Sequence, residues 1–481
     1  MSRAWSCPWW SVPSFGGDRS FFSGSDGAAN QAVVYVQDRR DLAVRPVVDP
    51  NLFSAEGLIA VVEQAPSPDG RYLAYAVSTQ GSSWLTVRVR DVRAGEDLPE
   101  ELHGLWDSRL EWTGDSRGFV YVRSDAGRPT GNALAPAGRQ QVFYHRAGQP
   151  QSTDRLVFER SEHPDWRLSA NVSDDGQYLV IAAHVRSELA NRLYLIDLDN
   201  PGHPDFGAPV VTLFDAADAV YDFVANEGPV FYIRTTKGAP RGRVIAVDIN
   251  APGEDHWTTV VRETYDPIVG VRRVDDRLVV NRLHDVRAAL ELFSLEGVAR
   301  GGVPLPGTGT VSQLTGHDRQ LYFEYSSFLQ PPAVYRYDLD TRTVSAYRAP
   351  PADSTLAAYE TTQLFFTAND GTRVPMFITA RRGITLDGSH PTLLAGVGAF
   401  GDHATPAFSP FVSAWLQLGG IYAVANVRGG GEYGRAWHEA ATGTHKSVSI
   451  ADFVAAAEFL VNQRYTRASL LGVVGRGAGG L

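Results

Sequence analysis

Between residues 20 and 350 one hydrophobic pattern recurs. A cluster of Asp, Gly, Asn or Ser leads into a short apolar run of strand character. A second run follows and often ends on an acidic turn. Runs of the first kind begin near Phe21, Tyr72, Phe119, Tyr178, Val230, Leu278 and Leu321. Ser67-Pro68-Asp69-Gly70 precedes Tyr72-Leu73-Ala74-Tyr75, Thr113-Gly114-Asp115-Ser116 precedes Phe119-Val120-Tyr121-Val122, and Ser173-Asp174-Asp175-Gly176 precedes Tyr178-Leu179-Val180-Ile181. Asn226-Glu227-Gly228 plays the same part before Val230. Asp caps such turns locally and Gly accepts positive φ. The companion runs are Val33 to Asp38, Leu193 to Asp197, Val244 to Asp248 and Val334 to Asp338.

The spacing of about 50 residues suits one four-stranded propeller blade. Seven starts therefore predict a seven-bladed β-propeller over residues 20–351, with residues 1–19 as an N-terminal remnant. An irregular pair of β-sandwiches is the competing architecture, and the fixed period favours the propeller. Neither implies a function, since propellers bind, scaffold and catalyse on the same frame.

After Pro351 the pattern changes. Thr362 to Phe366, the turn Asn369-Asp370-Gly371 and Arg373 to Ile378 predict a hairpin. Thr392 to Ala395 and Ile421 to Asn426 predict buried strands, and Leu470 to Val474 a third. Ser449 to Asn462 predicts a helix with Phe453, Ala456, Ala457 and Leu460 on its apolar face. Strand, helix and strand with apolar strands predict an α/β domain over residues 352–481.

Composition narrows the chemistry. The formal net charge is −10 and no basic cluster interrupts it, so nucleic acid is not an expected partner. Cys7 is the one cysteine, which excludes an internal disulfide or a cysteine-built metal site. No apolar run approaches the ~20 residues of a membrane span, and residues 1–13 lack the basic-then-apolar order of a secretion signal. The expectation is a cytoplasmic, monomeric protein with no cofactor and no metal.

The last strand runs into Gly475-Arg476-Gly477-Ala478-Gly479. This has the frame of a Gly-x-Ser-x-Gly nucleophile elbow, a sharp strand-to-helix reversal that presents a serine hydroxyl. Gly477 occupies the serine position, and Ala478 would supply the oxyanion-binding N–H. Gly475, Gly477 and Gly480 also fit Gly-x-Gly-x-x-Gly, a dinucleotide-binding fingerprint that requires a following helix and an acidic residue. A glycine-rich strand exit without any role is the third reading of the same residues.

Other segments carry more specificity. Asn426-Val427-Arg428-Gly429-Gly430-Gly431-Glu432-Tyr433-Gly434 precedes Trp437-His438. Taken with Gly388-Ser389-His390-Pro391, Gly398-Ala399-Phe400, the stretch near Asp452-Phe453 and the elbow, it resembles the prolyl oligopeptidases. The likeness extends through Tyr35 to Asp38, Asp49-Pro50-Asn51, Leu283 to Val286, Ser326 to Leu329 and Asp370 to Ile378. The resemblance implies a seven-bladed propeller capping an α/β-hydrolase domain, and a serine-type endopeptidase acting on short proline-containing peptides. It also implies that Val397 stands where the family places an oxyanion-hole tyrosine. Phe400 stands where a phenylalanine lines the proline pocket. The family's triad Asp and His would lie beyond Leu481, and its helical N-terminal segment has no counterpart before residue 20, so the expectation is an incomplete hydrolase domain.

Three functions are therefore carried forward. The first is an inactive prolyl-oligopeptidase relative. The second is a propeller that binds peptides without cutting them. The third is a dinucleotide-binding protein.

Overall fold

The computed structural model describes residues 7–40, 42–106, 108–125, 138–185, 188–351 and 353–480. Met1 to Ser6 of the expected N-terminal remnant, and Leu481, lie outside the described residues. The described strands before residue 350 form a seven-bladed β-propeller. The chain divides into two compact units: residues 11–237 with 244–259, and residues 1–10 and 238–243 with 260–481.

In the first unit the blades are antiparallel meanders. The third blade pairs Glu111–Trp112, Gly118–Ser124, Gln140–Arg146 and Arg155–Phe158 in that order. The fourth pairs Trp166–Val172, Tyr178–Val185, Asn191–Asp197 and Val211–Phe214. The strands expected to open each repeat, such as those at Phe119 and Tyr178, are thus the second of their sheets. Their predecessors are less regular: Trp166–Val172 mixes Arg167 and Asn171 into its run, and Glu111–Trp112 is two residues long.

The turn chemistry before these strands repeats in atomic detail. Ser67 Oγ donates to Asp69 Oδ1 at 2.6 Å and accepts the Tyr72 N–H at 2.9 Å. Asp69 Oδ1 accepts the Arg71 N–H at 2.9 Å. Ser173, Asp175, Gln177 and Tyr178 reproduce the set at 2.5, 3.1 and 2.9 Å. One hydroxyl and one carboxylate thereby satisfy the amides of a tight reversal into the strand. Gly70 and Gly176 take the positive-φ corner at 69° and 74°, and Ser116 takes it in the third blade at 57°.

In the second unit the last propeller strand is Thr343–Arg348, and Tyr359–Thr367 begins a different sheet. Its order is Tyr359–Thr367, Arg373–Arg381, Ile421–Ala425, Thr392–Ala395, Leu471–Val474. The first three neighbours pair antiparallel, and Thr392–Ala395 pairs parallel with both its neighbours. The expected helix spans Ser447–Asn462, with Ala456 and Leu460 buried and Phe453 and Ala457 packed on the same core. A second helix, Pro410–Gln417, was not foreseen; Pro410 opens it from Ser409. The sheet and helix form the incomplete α/β-hydrolase domain. No helix among the described residues is long and apolar enough to cross a membrane.

Candidate active site

Two parallel strands bring the candidate residues together. Leu394 pairs with Val473 and Ala395 with Val474, so the segments leaving both strands emerge side by side. One carries Gly396 to Phe400 and the other Gly475 to Gly480. A Cβ on Gly479 would lie 2.7 Å from the Gly396 carbonyl oxygen and 3.3 Å from Val397 Cα. The glycine-rich segment after Val474 and the segment at Gly396–Val397 thus abut.

The frame glycines have a steric reason. A Cβ on Gly475 would fall 1.8 Å from the Gly479 carbonyl oxygen, a separation no side chain survives. Gly477 is different: its φ is +54°, and nothing lies within 4 Å of where its Cβ would be. A side chain there would meet no neighbouring atom. Residues Gly477–Gly480 form a 3-10 turn that carries the Ala478 backbone.

Val397 is half-buried and aliphatic, so it offers no hydroxyl to an oxyanion. Phe400 is 74% exposed and takes φ +57°. Its ring is on the surface of the described residues rather than in a closed pocket.

The glycine loop is buried from Asn426 to Tyr433 except for Arg428, which is half-buried. Arg428 Nε and Nη2 donate to Asp452 at 2.8 and 2.5 Å, and Nη1 donates to Asp370 at 2.5 Å and Thr372 at 3.1 Å. This guanidinium and the Thr372 groups hold the Asp370 carboxyl well below the usual carboxylate range. Lys446 Nζ donates to the Gly398 carbonyl at 2.6 Å and sits 3.3 Å from Ser449 Oγ. Ser449 Oγ in turn donates to the Arg428 carbonyl at 2.6 Å. Burial pulls the Lys446 ammonium down. His438 Nδ1 lies 2.7 Å from the Gly429 carbonyl, a structural contact.

These clamps were not read from the sequence. The signal for one was there: Asp452 sits one residue before Phe453 on the buried face of the helix, where a charge needs a partner. Among the described residues no group of three His, Cys, Asp or Glu could hold a metal.

Residues 1–350 match the model of the prolyl oligopeptidase N-terminal β-propeller domain, and residues 406–481 match that of the prolyl oligopeptidase family. The chain belongs to the prolyl oligopeptidase family. This membership sets aside the dinucleotide reading of Gly475 to Gly480. Among its relatives, a prolyl endopeptidase of Elizabethkingia meningoseptica is 32% identical over 475 residues, covering 98% of this chain and 66% of that protein. Prolyl oligopeptidase A of Galerina marginata is 32% identical, covering 90% and 61%. A solved prolyl endopeptidase superposes with a TM-score of 0.91 at 31% identity, covering 100% of this chain and 70% of that one. Prolyl oligopeptidase B from Galerina marginata, bound to a 35mer hydrolysis and macrocyclization substrate, gives 0.91 at 27% with the same coverage. The chain thus spans just under two thirds of the length of the first prolyl endopeptidase it matches.

Proposed function

We propose that this member of the prolyl oligopeptidase family is a serine-type endopeptidase by descent whose 481 residues do not cleave peptides. The observation that carries the reading is Gly477: the elbow frame is sterically intact, yet its central position has no side chain. Nucleophilic catalysis needs an activated oxygen or sulfur at that point, and the neighbouring Val397 adds no oxyanion donor of its own. The same reading makes the protein a cytoplasmic monomer that uses no cofactor or metal and takes short proline-containing peptides rather than nucleic acid. Incubation with a Gly-Pro chromogenic substrate tests it. Release of chromophore above the uncatalysed rate, at a level that tracks protein concentration, would overturn it.

A second reading, capture of short peptides without cleavage, is supported by a separate feature. A cavity of about 600 Å³ opens among blades two to four, lined by Ser78, Ser83, Ser108, Ser169 and Arg109 with Val122 and Leu168. Hydroxyls, the Arg109 guanidinium and the Glu63 carboxylate over apolar walls suit a peptide backbone with its C-terminal carboxylate and N-terminal ammonium. Saturable heats on titration with a proline-containing tripeptide, lost in Arg109→Ala, would support capture. Absence of heat at millimolar peptide would end it.

A further inference from the structure

Glu432 is 1% exposed within the glycine loop. Its Oε1 accepts the Ala404 N–H at 3.1 Å and lies 3.4 Å from Asn426 Nδ2. Its Oε2 is buried with no hydrogen-bond partner. It packs against Gly430, where a Cβ would come within 2.1 Å of it. A carboxylate has about four acceptor sites to fill, and leaving one oxygen dry penalises its charged form.

The residues that follow tether the loop. Tyr433 donates its hydroxyl to Asp285 at 3.1 Å, in the turn between Arg277–His284 and Arg287–Ser294 of the sixth blade. Its ring packs on Tyr265 at 5.7 Å and on Trp437 at 4.9 Å. The Arg435 N–H reaches the Pro240 carbonyl at 3.4 Å. Glu432 therefore lies between an anchor to the hydrolase sheet, through Arg428, and an anchor to the sixth blade, through Tyr433.

We propose that Glu432 is a proton-operated latch: with its carboxyl protonated the loop stays seated on the sixth blade, and ionisation loosens the Tyr433–Asp285 tether.

The charges around it act in that direction. Burial is the main force against ionisation and Asp402, on the facing segment, adds to it; together they push the carboxyl up to about 7. His403 Nε2 lies 2.9 Å from where a Gly431 Cβ would be. Tyr433, the next residue, is the group whose charge couples to it, and it supplies no positive charge. Arg428 is committed to Asp452 and Asp370, and Arg241 lies over the Tyr265 ring at 5.3 Å. A carboxyl raised in the docked state binds more protons there than when exposed. The docked state is therefore favoured below the free-glutamate range, and the advantage is lost as pH rises to about 7.

Hydrogen exchange of the whole chain, corrected for intrinsic rates, tests the latch in peptides covering residues 428–435 and 284–287. Exchange in both should quicken by about a hundredfold between pH 5 and pH 8, and Glu432→Gln should abolish that dependence. A flat wild-type profile, or the same dependence in Glu432→Gln, would overturn the proposal. Asp402→Asn provides an independent arm that keeps the carboxyl: its midpoint should move to lower pH, and an unmoved midpoint counts against the latch.

Discussion

The guanidinium of Arg428 grips the fully buried carboxylate of Asp452 through two hydrogen bonds, at 2.8 and 2.5 Å. One partner opens the glycine loop and the other lies on the helix Ser447–Asn462, so this pair fixes the loop on the hydrolase core. Removing one member of a buried pair strands the other charge and costs about 3–5 kcal/mol. Asp452→Ala should lower the unfolding free energy from urea titration by that amount without changing the slope. A variant within about 0.5 kcal/mol of the parent, the range of an ordinary surface substitution, would show that the pair does not anchor the loop.

The elbow glycines should respond unequally to a methyl group. Gly475→Ala places its Cβ against the Gly479 carbonyl and should abolish amide protection across Leu471 to Gly480. Gly477→Ser meets no atom and carries only the left-handed strain of about 1–2 kcal/mol. Equal protection loss in the two variants, read by hydrogen exchange, would contradict the steric account.

His145 offers a stability switch in the propeller. Its ring is fully buried, with Nδ1 2.7 Å from Asp154 and Nε2 3.7 Å from Glu100. Burial opposes the imidazolium, but the two carboxylates together outweigh it and raise the pKa. Burial opposes the Glu100 charge too, yet His145 and the Gly148 N–H hold that carboxyl below its ordinary value. A raised histidine contributes stability that is complete below its unfolded value of about 6.5 and is lost as pH rises through the raised one. Denaturant midpoints should fall above neutrality in the parent and flatten there in His145→Gln. A parent whose midpoint is level from pH 6 to 9 would rule the switch out.

The strand Leu471–Val474 pairs on one side only among the described residues, and Val473 is 66% exposed. An open apolar edge recruits other chains. A polypeptide of these 481 residues should bind a hydrophobic dye, and Val473→Lys should reduce the signal. Dye binding equal to that of a well-folded control protein would refute this expectation.

The propeller was legible because its turns are chemically explicit: Ser67 with Asp69, and Ser173 with Asp175, wire the strand starts through hydroxyl and carboxylate bonds that the residue types announce. The order of strands within a blade was less so. A strand such as Ile268–Val274 holds Gly270 and two arginines and shows no clean alternation. The Gly475-to-Gly479 frame left three readings open from spacing alone, and only the family resemblance pointed to an elbow and singled out Val397. The clamps of Arg428, Lys446 and Ser449, and the orphaned oxygen of Glu432, were not legible, because they depend on which side chains and backbone carbonyls from distant segments converge in the folded chain.

On the proposed function, Gly477 leaves this chain without a nucleophile. Intact-protein mass spectrometry after incubation with a fluorophosphonate probe tests it most directly. The predicted result is an unchanged mass at saturating probe. One equivalent of adduct within residues 390–481, blocked by a proline-containing peptide, would contradict it.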